Sequence, residues 1–371
     1  MTSERTLSVH WDELFLTHRM SNGTYEFPAR EWLAIDEPHP ERPERLLNIK
    51  SAIDRWLPER TEYRSVQPAT EAQLTAVHDP AYLEEIRNAS RRGGERVTAS
   101  TEVTESAYRA SAAAAGAAAA AATETLEDDD VVPYAMSRPP GHHAQPGMAD
   151  GYCFINSVAV AAEHALDTGR ADSVAIIDWD VHHGNGTQEC FYDRDDVLVI
   201  NLHNDFGAWG PNHPQTGDVD ERGEGDGTGY NVNVPLPPGT GDGGYEYAYD
   251  RLIEPIVSAF DPDLLLASAG QDAGVADPGG RNLVTKDGYR SIAARTRALA
   301  DDHADGSLAI VQEGGYQLSH LAFATLGVLE GALGVETEAT DPFGVLEENE
   351  ELAAEWIDTA AAACEDHWDL P

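Results

Sequence analysis

The apolar positions along this chain gather in short solid blocks. Five runs are apolar at nearly every position: Val131–Met136, Val174–Asp178, Val197–Leu202, Leu264–Ala269 and Leu308–Gln312. Runs of that length without polar alternation predict strands buried on both faces, as in a parallel sheet. Around them, longer patterns predict helices near 105–127, 154–168, 244–260, 285–302 and 318–332, and a last one near 346–363. Strands alternating with helices imply an α/β fold whose parallel sheet is covered on both sides. Ala107–Ala122 contains twelve alanines. It reads as a helix packed tightly on the sheet, because alanine has the highest helix propensity. The stretch 204–229 is rich in Gly, Pro, Asn and Asp and predicts a long loop directly after a strand. Long loops inside compact domains are often functional. No repeat, linker or composition shift divides the chain, so 1–371 reads as a single domain.

Four of the five strands run straight into polar motifs. After VAIID comes Asp178-Trp179-Asp180-Val181-His182-His183-Gly184-Asn185-Gly186. Alternate side chains of extended chain share a face, so Asp178, Asp180 and His182 point the same way. Two carboxylates and an imidazole on one face suit a divalent metal. The bland alternative is a polar strand end leading to a helix. After Val131–Met136 comes Arg138-Pro139-Pro140-Gly141-His142-His143, a stiff turn presenting adjacent histidines. Such a turn suits a general base, which must be placed accurately; an exposed turn with incidental histidines is the alternative. Leu264–Ala269 leads into Gly270-Gln271-Asp272, with Asp272 placed to supply a third ligand. Leu308–Gln312 leads into Glu313-Gly314-Gly315-Tyr316, where the glycines let backbone come close and bring a tyrosine hydroxyl in. In an α/β sheet these strand ends lie on one edge, where sites form. That coincidence raises each weak signal.

Charge narrows the partners. Acidic residues number 66 against 24 basic, a net charge of -42, and Lys50 and Lys286 are the only two lysines. The acidity is spread along the whole chain, as on proteins of salt-loving organisms. In molar salt the Debye length falls to about 3 Å, so long-range steering of cations is weak. Phosphates would be repelled, which argues against a direct nucleic-acid partner. Three cysteines at unrelated spacings suggest neither disulfides nor a cysteine metal site. No leader pattern and no apolar stretch of about 20 residues is evident. A cytoplasmic protein without membrane contact is the expectation.

Together RPPGHHA, GYCFIN, DWDVHHGNGTQ, the GQDA…DP turn and EGGY closely resemble the histone deacetylase family, in its zinc-dependent branch. That branch includes deacetylase-like amidohydrolases and acetylpolyamine amidohydrolases. HPERPERL at 39–46 and GYNVNVPLPPGTGD at 229–242 also fit. The resemblance runs from about 15 to 335, leaving an acidic extension at about 336–371. It implies the arginase/deacetylase-like three-layer fold, with a central parallel sheet of about eight strands and catalytic loops at their carboxyl ends. It implies one Zn2+ per chain on Asp180, His182 and Asp272. His143 would be the general base, and His142 a mainly electrostatic neighbour bonded to Asp178. Asn185 would stand behind His143, lowering its basicity relative to an aspartate there, and Tyr316 would donate to the oxyanion. Gly151 and Tyr152 would line the substrate tunnel, and Arg45 would lie near an internal acetate pocket. Structural K+ is implied at two places: Asp178, Asp180, His182, Asn201 and Leu202, and the backbone oxygens of Phe191, Arg194, Val197 and Tyr230. The expected substrate is an acetylated amine, either protein lysine or polyamine, and a homo-oligomer is left open. Two departures bear on the pocket: Gln271 stands where phenylalanine is common, and Gly274 where histidine or a small residue is common. Two other readings compete. A binuclear manganese ureohydrolase would need Asp-x-His-x-Asp, whereas Gly184 follows His182 by two. An inactive acetyl-lysine binder would be expected to lack Tyr316 or the paired histidines.

Overall fold

The computed structural model describes residues 5–371 apart from 25–26, 29–31, 33, 99 and 206–214. Eight strands form one parallel sheet: β1 (Thr6–Trp11), β2 (Thr61–Ser65), β3 (Val131–Ala135), β4 (Val174–Asp178), β5 (Val197–Asn204), β6 (Asn231–Leu236), β7 (Leu264–Ala269) and β8 (Leu308–Gln312). Their spatial order is β6-β5-β4-β7-β8-β3-β1-β2. The five solid apolar runs are the five inner strands β5, β4, β7, β8 and β3, and all are buried along their length. The three strands without such runs lie toward the two ends of the sheet. In β1, Leu7 and Val9 enter the core, while Ser8 and His10 bond to Glu124 at 2.6 and 2.8 Å. In β6, Asn231 and Asn233 alternate with Val232 and Val234, and both asparagines donate to Gln188 Oε1 at 2.8 Å. β2 is largely exposed, as an edge strand can be.

The helices fall close to their predicted positions: Ala107–Glu127, Ser157–Asp167, Lys286–His303, Leu318–Leu333 and Glu350–Cys364. The helix predicted at 244–260 begins at Asp242 and is not uniform. It runs as Asp242–Ala248, a π turn Tyr249–Ile253, and Glu254–Phe260. Pro255 explains the irregularity, because it has no N–H to give the α ladder. The alanines of Ala107–Glu127 are nearly all buried, against Ser157–Asp167 and the sheet. Among the described residues no helix is long and apolar enough to cross a membrane.

The C-terminal extension is tied to the core by one of the two lysines. Lys286 Nζ donates to Glu330 Oε2 at 2.7 Å, both side chains being buried. Glu330 Oε1 accepts the Thr337 N–H at 3.1 Å. Glu330→Ala strands a buried ammonium and should cost about 3–5 kcal/mol in urea unfolding. A joint Lys286→Met, Glu330→Leu change should recover most of that loss in the same measurement.

Candidate metal and catalytic centre

The motif-bearing strands β4, β7, β8 and β3 are consecutive neighbours in the sheet. Their carboxyl-terminal loops therefore converge. Beyond β4, Asp180 and His182 meet Asp272 from beyond β7. His182 Nδ1 lies 3.1 Å from Asp180 Oδ1 and 3.1 Å from Asp272 Oδ2. The ligand-capable atoms of the three all lie within 4.8 Å of one another. Backbone holds the carboxylates in place. The N–H groups of His182 and Gly314 donate to Asp180 at 3.0 and 2.8 Å, and Val181 N–H donates to Asp272 Oδ1 at 2.9 Å. That leaves Asp272 Oδ2 turned toward His182. A Cβ on Gly314 would overlap both Asp180 Oδ2 and Asp272 Oδ2, so the backbone can approach only as glycine.

Burial opposes a charge on His182, yet Asp180 and Asp272 raise its pKa to about 10. An imidazole held positive between two buried carboxylates marks a position that demands a cation. Two carboxylates and one imidazole, only three protein ligands, fit a catalytic divalent ion.

Gln271 does not enter this centre. Its amide donates to Ala269 O at 2.9 Å and accepts from Gln312 and Thr325 at 2.8 and 3.2 Å. It belongs to a buried polar network that continues to Tyr134. Gly274 leaves space for the ring of His320, which a Cβ there would overlap.

The histidine turn is anchored by charges at each end. Arg138 pairs with Glu41 at 2.8 and 2.6 Å and donates to the carbonyls of Phe15 and His18. Glu313 Oε2 accepts the N–H groups of Gly141 and His142 at 2.6 and 3.2 Å. His142 Nδ1 lies 2.9 Å from Asp178 Oδ2, and His143 Nδ1 lies 2.8 Å from Asn185 Oδ1. The rings are 3.9 Å apart. Burial opposes charge on His142, but Asp180 and Asp178 raise it to about 10. His143 is driven the other way, by burial first and then by His142 and His182. The two imidazoles of the pair are thus shifted in opposite directions.

Tyr316 faces Tyr152 edge-on at 5.9 Å, and both pack with Met20. Burial pushes the Tyr316 phenol up and Asp272 adds to it, so the hydroxyl stays a donor. The Arg45 guanidinium lies 4.9 Å over its ring and donates to the Gly315 and Glu313 carbonyls, both at 2.5 Å. Tyr152 has φ 71°. Its N–H is held by Thr101 Oγ1 at 3.0 Å, and His39 meets its ring edge-on at 4.8 Å. Gly151 lies against His143, where a Cβ would overlap the imidazole.

The residues expected to hold potassium fall at two places. Asn201 pairs with Asp178 across β5 and β4, and its Oδ1 accepts the Gly184 N–H at 3.2 Å; Leu202 follows it. At the second position, Phe191 O accepts from Arg194 N and Tyr230 O from Val199 N, while Val197 opens β5. The Arg194 side chain pairs with Glu163 and Asp196, which leaves the expected role of its backbone oxygen untouched.

Several residues of the site went unassigned in the sequence: Met20, His39, Glu41, Arg138, His183, Asp277 and Glu313. Four of them are charged members of recognised motifs: Glu41 in HPERPERL, Arg138 opening RPPGHHA, Asp277 in the GQDA…DP turn and Glu313 opening EGGY. His183 bonds Thr216 at 2.9 Å and lies 3.1 Å from Gln188 and Asn233. Within the loop expected at 204–229, residues 206–214 lie outside the described residues. The part from 215 onward is pinned down, with Glu221 accepting from Gln188 and the Gly217 N–H.

The histone deacetylase motifs have their counterpart in the comparisons. Residues 39–332 match the model of the histone deacetylase domain. The chain belongs to the histone deacetylase family. Among its relatives, the histone deacetylase 8 of Arabidopsis thaliana is 40% identical over 358 residues, 95% of each protein. The histone deacetylase-like amidohydrolase of Pseudomonas aeruginosa is 38% identical, over 91% of this chain and 89% of that protein. A probable deacetylase of Archaeoglobus fulgidus is 38% identical over 81% and 83%. The solved HDA15 HD domain superposes with a TM-score of 0.84 at 33% identity, covering 98% of this chain and 96% of that one. This histone deacetylase family member is accordingly a hydrolytic enzyme on the arginase/deacetylase fold.

The raised His182 has a consequence for metal loading. A divalent ion must displace the imidazole proton, so binding at pH 7–8 should release about one proton per ion. Affinity should fall about tenfold per pH unit below that range. Calorimetry of the metal-free protein in buffers of different ionisation enthalpy reads this directly, and no proton release would mean a neutral His182.

Proposed function

We propose that this enzyme hydrolyses an N-acetyl amide to the free amine and acetate at a single zinc ion held by Asp180, His182 and Asp272. The observation that carries the reading is the convergence of that ligand set with the His142–His143 pair and the Tyr316 hydroxyl. Zinc bound there lowers the pKa of water and polarises the acetyl carbonyl.

The remaining chemistry belongs to the chain. His143 Nδ1–H is directed to Asn185 Oδ1, which leaves Nε2 as the basic nitrogen. Its depressed pKa keeps it unprotonated at neutral pH, ready to take a proton from water. It then delivers that proton to the departing amine. His142, charged against Asp178 and Asp180, stabilises negative charge developing beside it. Tyr316 donates to the oxyanion. Gly151, Tyr152 and Met20 bound the path of a narrow acyl-amine stem, with His39 packed behind Tyr152, and Arg45 braces the loop under Tyr316. K+ at Asp178 and Asn201, and at the 191–197 and 230 carbonyls, belongs to the same reading.

A second metal has poor support, since Gly184 stands where an additional aspartate would be needed. Among the described residues the other grouping of three metal-capable side chains is the exposed Asp128, Asp129 and Asp130. Acetylated protein lysine and acetylpolyamine both present an acetamide on such a stem. The ratio of kcat/KM on acetyl-lysine peptides to that on acetylpolyamines, taken in high and low salt, decides between them.

Tyr316→Phe should lower kcat by about 10²–10³ while zinc stays bound. His143→Ala should lower it by about 10²–10⁴. Acetate release at the wild-type rate by either variant would remove the role given to that residue.

A further inference from the structure

The loop that carries Tyr316 is gripped from two sides, by a guanidinium and by a carboxyl group. Arg45 takes its carbonyls, at Glu313 and Gly315. On the amide side stands Asp277. Its Oδ2 accepts the N–H of Tyr316 at 2.5 Å and of Gln317 at 2.9 Å, while Oδ1 accepts the Gly279 N–H at 2.8 Å. Three backbone N–H groups thus converge on one carboxyl group, two of them from consecutive residues. Asp277 therefore fixes the two peptide planes that flank the Tyr316 Cα, Gly315–Tyr316 and Tyr316–Gln317, and with them the direction in which the phenol leaves the backbone.

The turn that holds Asp277 begins at the metal-site carboxylate. Asp277 follows Asp272 by five residues, and Asp277 N–H bonds Gly274 O at 2.9 Å. Gly279, in the same turn, fits between Tyr316 and His182. A Cβ there would come 3.2 Å from Tyr316 Cδ2 and 3.5 Å from His182 Cε1. Just ahead of Tyr316, Gly315 takes φ 112°, a conformation open to glycine that leaves the loop free to follow other courses. A loop with such a glycine needs an external fix.

We propose that Asp277 is a positioning residue that sets where the Tyr316 hydroxyl stands relative to Asp180, His182 and Asp272, so that its effect on turnover runs through Tyr316. This rests on the deacetylase reading, in which Tyr316 is the oxyanion donor. An Asp277 that merely stabilised the fold would act on every variant alike.

The test is a double-mutant cycle on the zinc-loaded full chain, with acetyl-lysine peptide as substrate. Asp277→Ala is expected to lower kcat by about 10–100-fold with KM within about twofold. Zinc should remain at one per chain. Asp277→Asn, which keeps an oxygen for the Tyr316 and Gln317 N–H groups, should recover most of the lost turnover. In the Tyr316→Phe background, Asp277→Ala should cause no further loss. Equal losses in the two backgrounds, or no loss in the wild type, would overturn the proposal. Should Asp277→Ala not fold, Asp277→Asn enters the same cycle, with a smaller loss that again vanishes in the Tyr316→Phe background and is overturned by equal losses. Wild-type turnover in Tyr316→Phe alone would overturn the reading of Tyr316 itself, an outcome separate from a failed cycle.

Discussion

Buried negative charge at the centre of the sheet is the constraint on which this molecule is organised. Asp178, Asp180 and Asp272 all lie buried at the ends of neighbouring strands. Carboxylates at such depth persist only with charges or N–H groups turned toward them. His142 answers Asp178, His182 answers Asp180 and Asp272, and the N–H groups of Val181, His182 and Gly314 take up other oxygens. The arrangement raises the pKa of His142 and His182 and lowers that of His143. It also leaves a space bounded by two carboxylates and one imidazole, where a divalent cation satisfies all three at once.

A second charged network holds the parts that move chemistry onto that centre. Glu41 lies between Arg138, at the root of the histidine turn, and Arg45, under the tyrosine loop. Its carboxyl is buried, but Arg138 and Arg45 hold its pKa down at about 2. Glu313 joins the two loops directly, by side chain to the Gly141 and His142 N–H groups and by carbonyl to Arg45. The His142–His143 turn and the Tyr316 loop are thus referenced to each other through buried ion pairs and hydrogen bonds. Breaking such a pair on one side leaves an uncompensated buried charge, which is costly.

Much of this could be read in the chain. The five inner strands were legible because strands buried on both faces must be apolar throughout. β1 and β6 were not, because their polar faces bond to Glu124 and Gln188 and so look like ordinary alternating or polar sequence. The shared face expected of Asp178, Asp180 and His182 assumed extended chain, but β4 ends at Asp178, and Asp180 and His182 lie in the bending segment beyond it, each N–H bonded to the carboxylate two residues back. That Asp272 joins Asp180 and His182 depends on sheet order, which brings β7 beside β4, and spacing along the chain does not carry that. The contacts that matter most are distant in sequence: Glu41 meets the Arg138 guanidinium, Glu313 the Gly141 and His142 N–H groups, and Asp277 those of Tyr316 and Gln317. Their contacts exist only in the folded chain, and an acidic residue in so acidic a sequence draws no notice. Gln271 shows the converse: it looked like a change in the pocket, and the structure turns it away into a separate network.

The central claim is that one metal ion, in the space between Asp180, His182 and Asp272, makes this chain a deacetylase. The most direct measurement strips the protein with a chelator and titrates zinc back while acetate release from an acetyl-lysine peptide is followed. The account predicts an inactive stripped protein whose rate rises linearly and levels at one zinc per chain, with no recovery in Asp272→Ala. Full activity without metal, or a rate that levels only at two ions per chain, would contradict it.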